Sequence, residues 1–228
     1  MSDERIMADK KKVLIVDDHP VVRQGLTAFI NGEDDFTVCG AAEDAESAIK
    51  LINETLPDIV IVDLSLKGTG GLELTSAIKS RFNIPVLVLS MHDENFFAER
   101  ALRAGARGYI MKRESMSKVM EAMREVLAGR LYVNEDLKER LLGKLLRSSP
   151  ESESPIHSLT NRELAVFQLI GEGYPNRQIA TKLNLSVKTV ETYRSRIIEK
   201  LKLKDSTELV QFAVKWVRSS DWEGNQQV

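Results

Sequence analysis

The sequence predicts an α/β domain with a parallel sheet, followed by a smaller all-α domain. Three observations lead there. Residues 58 to 63 read Asp-Ile-Val-Ile-Val-Asp, four β-branched apolar residues running into a carboxylate, the pattern of a central parallel strand buried on both faces. Residues 13 to 128 alternate short apolar runs with amphipathic ones, the rhythm of βα-repeats. Beyond a Ser/Glu/Pro stretch, residues 159 to 219 show helical periodicity. A chain of 228 residues, 43% hydrophobic, holds two modest cores at about 100 to 200 residues per domain.

Within the first domain, Val13 to Val16 is the first strand, and Val22, Leu26, Phe29 and Ile30 mark one face of the first helix. Pro20 sits near its start, where a missing N–H costs nothing. Phe36 to Ala41 is the second strand, before a helix carrying Ala45, Ala48, Ile49 and Ile52. The 58–63 run comes third; a loop through Lys67 to Gly71 then leads to a helix from Leu72 to about Ser80. Val86 to Leu89 and Gly108 to Met111 are the fourth and fifth strands, separated by a helix over 94–104. Met116, Val119, Met120, Met123, Val126 and Leu127 recur at helical spacing and belong to the core. Cys39, the one cysteine, lies in the second strand and reads as a small buried hydrophobe.

Net charge is -2 but uneven: residues 156 to 228 hold eleven Lys/Arg against eight Asp/Glu, leaving the remainder at -5. An acidic front and a basic rear point to two tasks, the second on a polyanion. No apolar run approaches the roughly 18 residues that span a bilayer, and the N-terminal tail, residues 1–12, is polar; the expected place is the cytoplasm, with no membrane partner.

Function is concentrated at the carboxyl ends of the strands, where ligands of open α/β sheets bind. Asp17 and Asp18 follow the first, Asp63 the third, Ser90 the fourth and Lys112 the fifth. Right-handed crossovers gather these ends on one edge. Each feature alone has an ordinary explanation: an Asp-Asp pair or a Ser caps a helix, and a Lys is solvated. Together, three carboxylates repel by roughly 4 kcal/mol per pair at 4 Å and an effective dielectric of 20. They need a cation, and oxygen ligands with room for water and phosphate suit Mg²⁺. Lys112 adds a positive charge and Ser90 a donor, a set that fits phosphoryl transfer onto a carboxylate.

Residues 13 to 128 resemble the receiver domain of bacterial response regulators, through Asp17-Asp18, Asp63, Ser90, Tyr109 and Lys112 in order. The resemblance implies a flavodoxin-like fold of five parallel strands. It implies that Asp63 accepts a phosphoryl group from a sensor histidine kinase, with Mg²⁺ on Asp18, Asp63 and the Ser65 carbonyl, and on Asp17 through water. Ser90 and Tyr109 then form a switch with Lys112. The chain is in this sense a phosphoacceptor taking part in its own Mg²⁺-dependent phosphorylation and dephosphorylation, not an enzyme acting on other substrates. Lys67 stands where the family usually has Pro, and His92 flanks the site as a modulator of access or a plain surface residue.

Residues 129–158 form a joint: a helix with Leu137, Leu141, Leu142 and Leu145, then Ser/Glu/Pro-rich linker over 147–155. In 159–219, Thr160-Asn-Arg-Glu163 is a capping box heading the first helix. Asn176 opens a short second helix, Asn184 and Leu185 turn, and Ser186 caps a basic third. That is a helix-turn-helix, and the run from Ser186 to Leu201 resembles the LuxR-type four-helix DNA-binding domain. Joined to a receiver, it resembles the NarL/FixJ-type regulators. Position assigns Lys188, Glu191, Thr192 and Ser195 to base edges, and Thr189, Tyr193, Arg194, Arg196 and Lys200 to the DNA backbone. The partners are double-stranded DNA, a second copy on DNA and RNA polymerase; residues 220–228 are a C-terminal tail. Two rivals are weaker. A haloacid-dehalogenase-type enzyme needs two aspartates spaced by one residue after its first strand, and here they are adjacent. A protein-interaction regulator has no use for a basic reading helix.

Overall fold

The structure, a computed structural model, describes residues 10–66, 70–91, 94–146 and 155–223. Lys67, His92, most of the N-terminal tail, 147–154 of the linker and the last five residues lie outside them, as do the readings attached to them. The chain divides into two compact units, Met1–Arg140 and Leu141–Val228.

The first unit is a parallel five-stranded sheet in the order β2-β1-β3-β4-β5, built from β1 (Lys11–Val16), β2 (Phe36–Ala42), β3 (Ile59–Val62), β4 (Val86–Ser90) and β5 (Gly108–Met111). This is the flavodoxin-like order. All four residues of β3 are buried, as an interior strand flanked on both sides requires. Side chains alternate across the sheet. Val13, Ile15, Ile59, Ile61, Leu87 and Leu89 pack under α1 (Pro20–Asn31) and α5 (Met116–Leu127), with Met120 and Met123 in that core. Alternate residues face α2 (Ala45–Thr55), α3 (Gly71–Arg81) and α4 (Glu94–Arg103), where Ile52, Ile78 and Phe97 are fully buried.

Two departures from the sequence reading have local causes. The β1–β2 register shifts so that Val38 and Gly40 oppose Val13 and Leu14. Cys39 is the extra residue of that bulge and only half-buried, its thiol directed to the Val13 carbonyl at 3.4 Å. At the other edge, the chain after α5 returns to β5. Tyr109 N donates to Tyr132 O at 2.8 Å, and Tyr132 N to Arg107 O at 3.0 Å. Asn134 then caps α6 (Glu135–Leu146), its side chain accepting from Leu137 N, while Glu94 of α4 accepts from Asn134 N at 2.7 Å.

Past the end of α6, the described part of the second unit resumes with a 3-10 turn, Pro155–Ser158, where Ile156 is buried. Four helices follow: α7 (Asn161–Gly171), α8 (Asn176–Lys182), α9 (Val187–Lys200) and α10 (Ser206–Glu223). Phe167 of α7 anchors the core, its ring 5.8 Å from Phe212 and 5.4 Å from Trp216 on α10. The capping box at α7 is formed on both sides. The turn between α8 and α9 closes through Leu185 N on Ala180 O at 2.8 Å, with Asn184 in the left-handed region at φ 52°.

Candidate functional site

The ladder of the sheet carries straight into the acidic edge. Asp17 N donates to Ala42 O, Asp63 N to Val16 O and Lys112 N to Ser90 O, so all three side chains leave the backbone at the same level. Lys112 Nζ stands 2.6 Å from Asp17 Oδ2 and 2.8 Å from Asp63 Oδ2. Asp17, Asp63 and Ser90 are buried, and Asp18 lies beside them, half-buried. The structure thus brings together Asp17, Asp18, Asp63 and Lys112, expected from three separate stretches of sequence.

One ammonium does not satisfy three carboxylates. Burial pushes the Asp63 carboxyl above the usual aspartate range; the Lys112 charge and the backbone amide of Ser65 pull it back, while Asp17 adds to the rise. Burial also works against a charged Lys112, but Asp63 and Asp17 more than reverse this and hold its ammonium above the usual lysine value. Oxygen is still left over. Asp63 Oδ1 and Asp18 Oδ1 are inaccessible to solvent and make no hydrogen bond among the described residues. Orphaned buried carboxylate oxygens cost free energy unless a cation meets them. The donor set, oxygen-rich and carrying a surplus of negative charge, fits a hard divalent ion.

Sequence reasoning missed three contributors. His19 lies with its Nδ1 2.8 Å from Asp18 Oδ1; the only signal was its place one residue past the acidic pair. An Arg23 guanidinium N–H donates to the Asp17 carbonyl from the second turn of α1. Gly71, first residue of α3, lies against the backbone of Asp63 and Leu64. Ser90 and Tyr109 end up on adjacent strands, Val88 opposite Tyr109 and Ser90 opposite Met111. Tyr109 is 1% exposed, its ring already inside.

In the helical unit, Lys188, Glu191, Thr192 and Ser195 are all exposed along one stripe of α9, and Val190 and Ile197 are buried on the opposite side. Ser186 accepts from Thr189 N at 3.0 Å, which fixes the helix start. The Thr192 and Ser195 hydroxyls donate to the carbonyls of Lys188 and Glu191, four residues back. Both hydroxyl hydrogens are thus engaged within the helix, and what the two oxygens can still offer is acceptance. Arg196 is exposed; Tyr193 and Arg194 are half-buried, and burial lowers the Arg194 pKa from the usual arginine value. Arg194 and Glu191 share the wall of a cavity of about 670 Å³ with Tyr174 and Ser206. Lys200, expected at the DNA backbone, also has a partner within the unit. Its Nζ donates to Glu163 Oε2 at 2.6 Å, because the buried glutamate of the capping box requires a counter-charge that the C-terminal turn of α9 supplies.

Fold and site together define a two-domain signalling regulator, one unit with an acidic pocket on a parallel sheet and one with a helix-turn-helix. Residues 13–124 match the response regulator receiver domain, and residues 157–213 match the luxR family of bacterial regulatory proteins. The chain belongs to the response regulators that carry a luxR-family output domain. It is 37% identical over 210 residues to the oxygen regulatory protein NreC of Staphylococcus carnosus, covering 90% of this chain and 97% of that one. It is also 37% identical over 205 residues to the response regulator GacA of Pseudomonas aeruginosa, with 90% and 95% covered. Among solved structures, RcsB of Salmonella enterica serovar Typhimurium, bound to promoter rprA with the phosphomimetic BeF3⁻, superposes at a TM-score of 0.57. The identity is 25%, over 90% of this chain and 99% of that one. No helix among the described residues is long and apolar enough to cross a membrane.

Proposed function

We propose that Asp63 takes a phosphoryl group from a phosphohistidine of a sensor kinase, and that this governs sequence-specific DNA binding, and so transcription, by α9. The observation that carries the reading is the state of the Asp63 carboxylate. Lys112 holds Oδ2, and Oδ1 has no partner among the described residues, so one oxygen is positioned while the other is left for chemistry. In the transfer, a carboxylate oxygen forms the P–O bond as the P–N bond breaks, and the imidazole leaves with the electron pair and takes up a proton. A bound Mg²⁺ supplies charge neutralisation for the oxygens of the incoming phosphoryl group. Asp18, Asp63 and the Ser65 carbonyl would hold it, and Asp17 would act through water. Asp17 also keeps Lys112 aimed at the acceptor.

The added charge and acceptor oxygens draw the Ser90 hydroxyl onto the phosphoryl group beside the Lys112 ammonium, and the Tyr109 ring, already buried, backs Ser90 there. Residues 13–128 are the acceptor and 159–219 the reader, joined through 129–158; the protein works in the cytoplasm. On DNA, two copies occupy half-sites about 34 Å apart. Lys188, Glu191, Thr192 and Ser195 meet base edges. Thr189, Tyr193, Arg194, Arg196 and Lys200 hold the backbone, and RNA polymerase is the further partner. Titration with acetyl phosphate and Mg²⁺, followed by peptide mapping and footprinting on genomic fragments, tests the whole. Residue 63 is to be modified, and a phosphate-dependent footprint is to vanish in Asp63→Asn. A footprint indifferent to phosphate overturns the control mechanism.

A further inference from the structure

His19 is placed for a role that the magnesium reading leaves unused. As the residue before α1 it has extended backbone, and its own N–H donates to Asp17 Oδ1 at 2.8 Å. That bond holds the ring at the mouth of the acidic pocket. Its Nδ1 stands 2.8 Å from Asp18 Oδ1 and 3.2 Å from Asp17 Oδ1; without an ion Nδ1–H donates to Asp17 Oδ1, a proton that moves to Nε2 or to solvent when Nδ1 takes a metal. One ligand atom from each of Asp17, Asp18, His19 and Asp63 falls within a cluster no wider than 4.8 Å. The cluster also has unmet demand, since Asp18 Oδ1 and Asp63 Oδ1 are buried and accept no hydrogen bond among the described residues. Despite its closeness, the imidazole does not satisfy the Asp18 oxygen.

Ligands at adjacent corners of an octahedron with bonds of about 2.1 Å stand roughly 3.0 Å apart. The two imidazole–carboxylate separations fall on either side of that spacing. Three carboxylates against one ammonium leave two negative charges over, the complement of a divalent cation. Imidazole nitrogen adds little for Mg²⁺, which prefers oxygen, and much for Ni²⁺, Co²⁺ or Zn²⁺.

We propose that His19 is a ligand, through Nδ1, of the divalent ion held by Asp18 and Asp63. The receiver site then accepts a borderline transition-metal ion in competition with Mg²⁺. This rests on the metal-site reading given above and adds the residue that sets ion preference. Nδ1 gives its lone pair to the ion and Nε2 carries the proton toward solvent. Exchange of Mg²⁺ for such an ion ties the receptivity of Asp63 to transition-metal availability.

Calorimetric titration with NiCl2 and, separately, with MgCl2 tests it on the full chain. The background is His92→Ala with His157→Ala, so that His19 is the one histidine left. His19→Ala keeps the backbone N–H that binds Asp17 and removes only the ring. The expected result is a fall of about tenfold to a hundredfold in Ni²⁺ affinity, with Mg²⁺ affinity held within about twofold. Unchanged Ni²⁺ affinity, or equal losses for both ions, overturns the assignment. Absence of Mg²⁺ binding to a protein whose Ni²⁺ binding still needs His19 overturns the magnesium reading and leaves the ligand assignment standing.

Discussion

A Cβ placed on Gly71 would lie 2.0 Å from the carbonyl oxygen of Asp63 and 2.7 Å from the Cα of Leu64. The start of α3 is thus packed directly on the backbone that presents the acceptor carboxylate. Rigid main chain, not a flexible side chain, is what the methyl would meet. Gly71→Ala is therefore expected to shift the strand-to-loop transition after β3, at about 1–3 kcal/mol of stability, and to slow labelling of Asp63. Urea unfolding beside acetyl-phosphate labelling checks both. A variant of wild-type stability that labels at the wild-type rate would show the contact to be easily relieved.

The crowding of Asp17, Asp18 and Asp63 sets a second expectation. Without a divalent ion, Asp18→Asn removes one of the repelling charges, so the melting temperature of the receiver rises. With Mg²⁺ at about 100 times its dissociation constant, the wild type gains roughly 2.7 kcal/mol and Asp18→Asn gains far less. Calorimetric melting with EDTA and with Mg²⁺ separates the two effects. Equal responses of both proteins to Mg²⁺ would place the ion elsewhere.

The reader domain carries its own pH signature. Glu163 is 2% exposed. Burial alone would raise its pKa, but Lys200 and the Thr160 backbone amide outweigh this and hold the carboxyl below the usual glutamate value. A depressed acid contributes stability above its unfolded-state pKa, about 4.3, and loses it as pH falls through the lower folded value. Glu163→Gln should flatten the loss of stability of this domain below about pH 4.3 while weakening it at neutrality. Melts of the full chain followed by Trp fluorescence report it, since Trp216 packs on Phe167. Identical pH profiles would mean that the pair with Lys200 contributes nothing.

On DNA, Lys188 and Arg196 should fail in different ways. Lys188→Ala is expected to cost about 1–3 kcal/mol at the cognate sequence and to relax preference at one position. Arg196→Ala weakens all sequences alike and lowers the salt slope by about one. Gel retardation across a salt series on cognate and scrambled duplexes distinguishes them; uniform weakening by both would move the reading face away from Lys188.

What was legible in the sequence follows from the range of the interactions. β3 was readable because four β-branched residues have no other comfortable home, and the capping box because Thr160 and Glu163 are three residues apart. Strand-end placement alone brought Asp17, Asp18, Asp63 and Lys112 to one edge. The pair between Lys200 and Glu163 spans 37 residues, and α9 periodicity marks Lys200 only as outward. His19 went unread because a histidine before a helix has no pattern of its own; its meaning comes from where Asp17 and Asp18 turn their oxygens. The bulge at Cys39 likewise depends on pairing between strands, which a single strand does not encode.

Tyr132 takes the rungs offered by Arg107 and Tyr109 on the outer side of β5. On the far margin, the shift at Cys39 breaks the even spacing of β2. Neither border of the sheet therefore presents a long uninterrupted template to a neighbouring chain. Strand addition between copies at these borders is thereby disfavoured, which leaves contact between copies to side-chain chemistry.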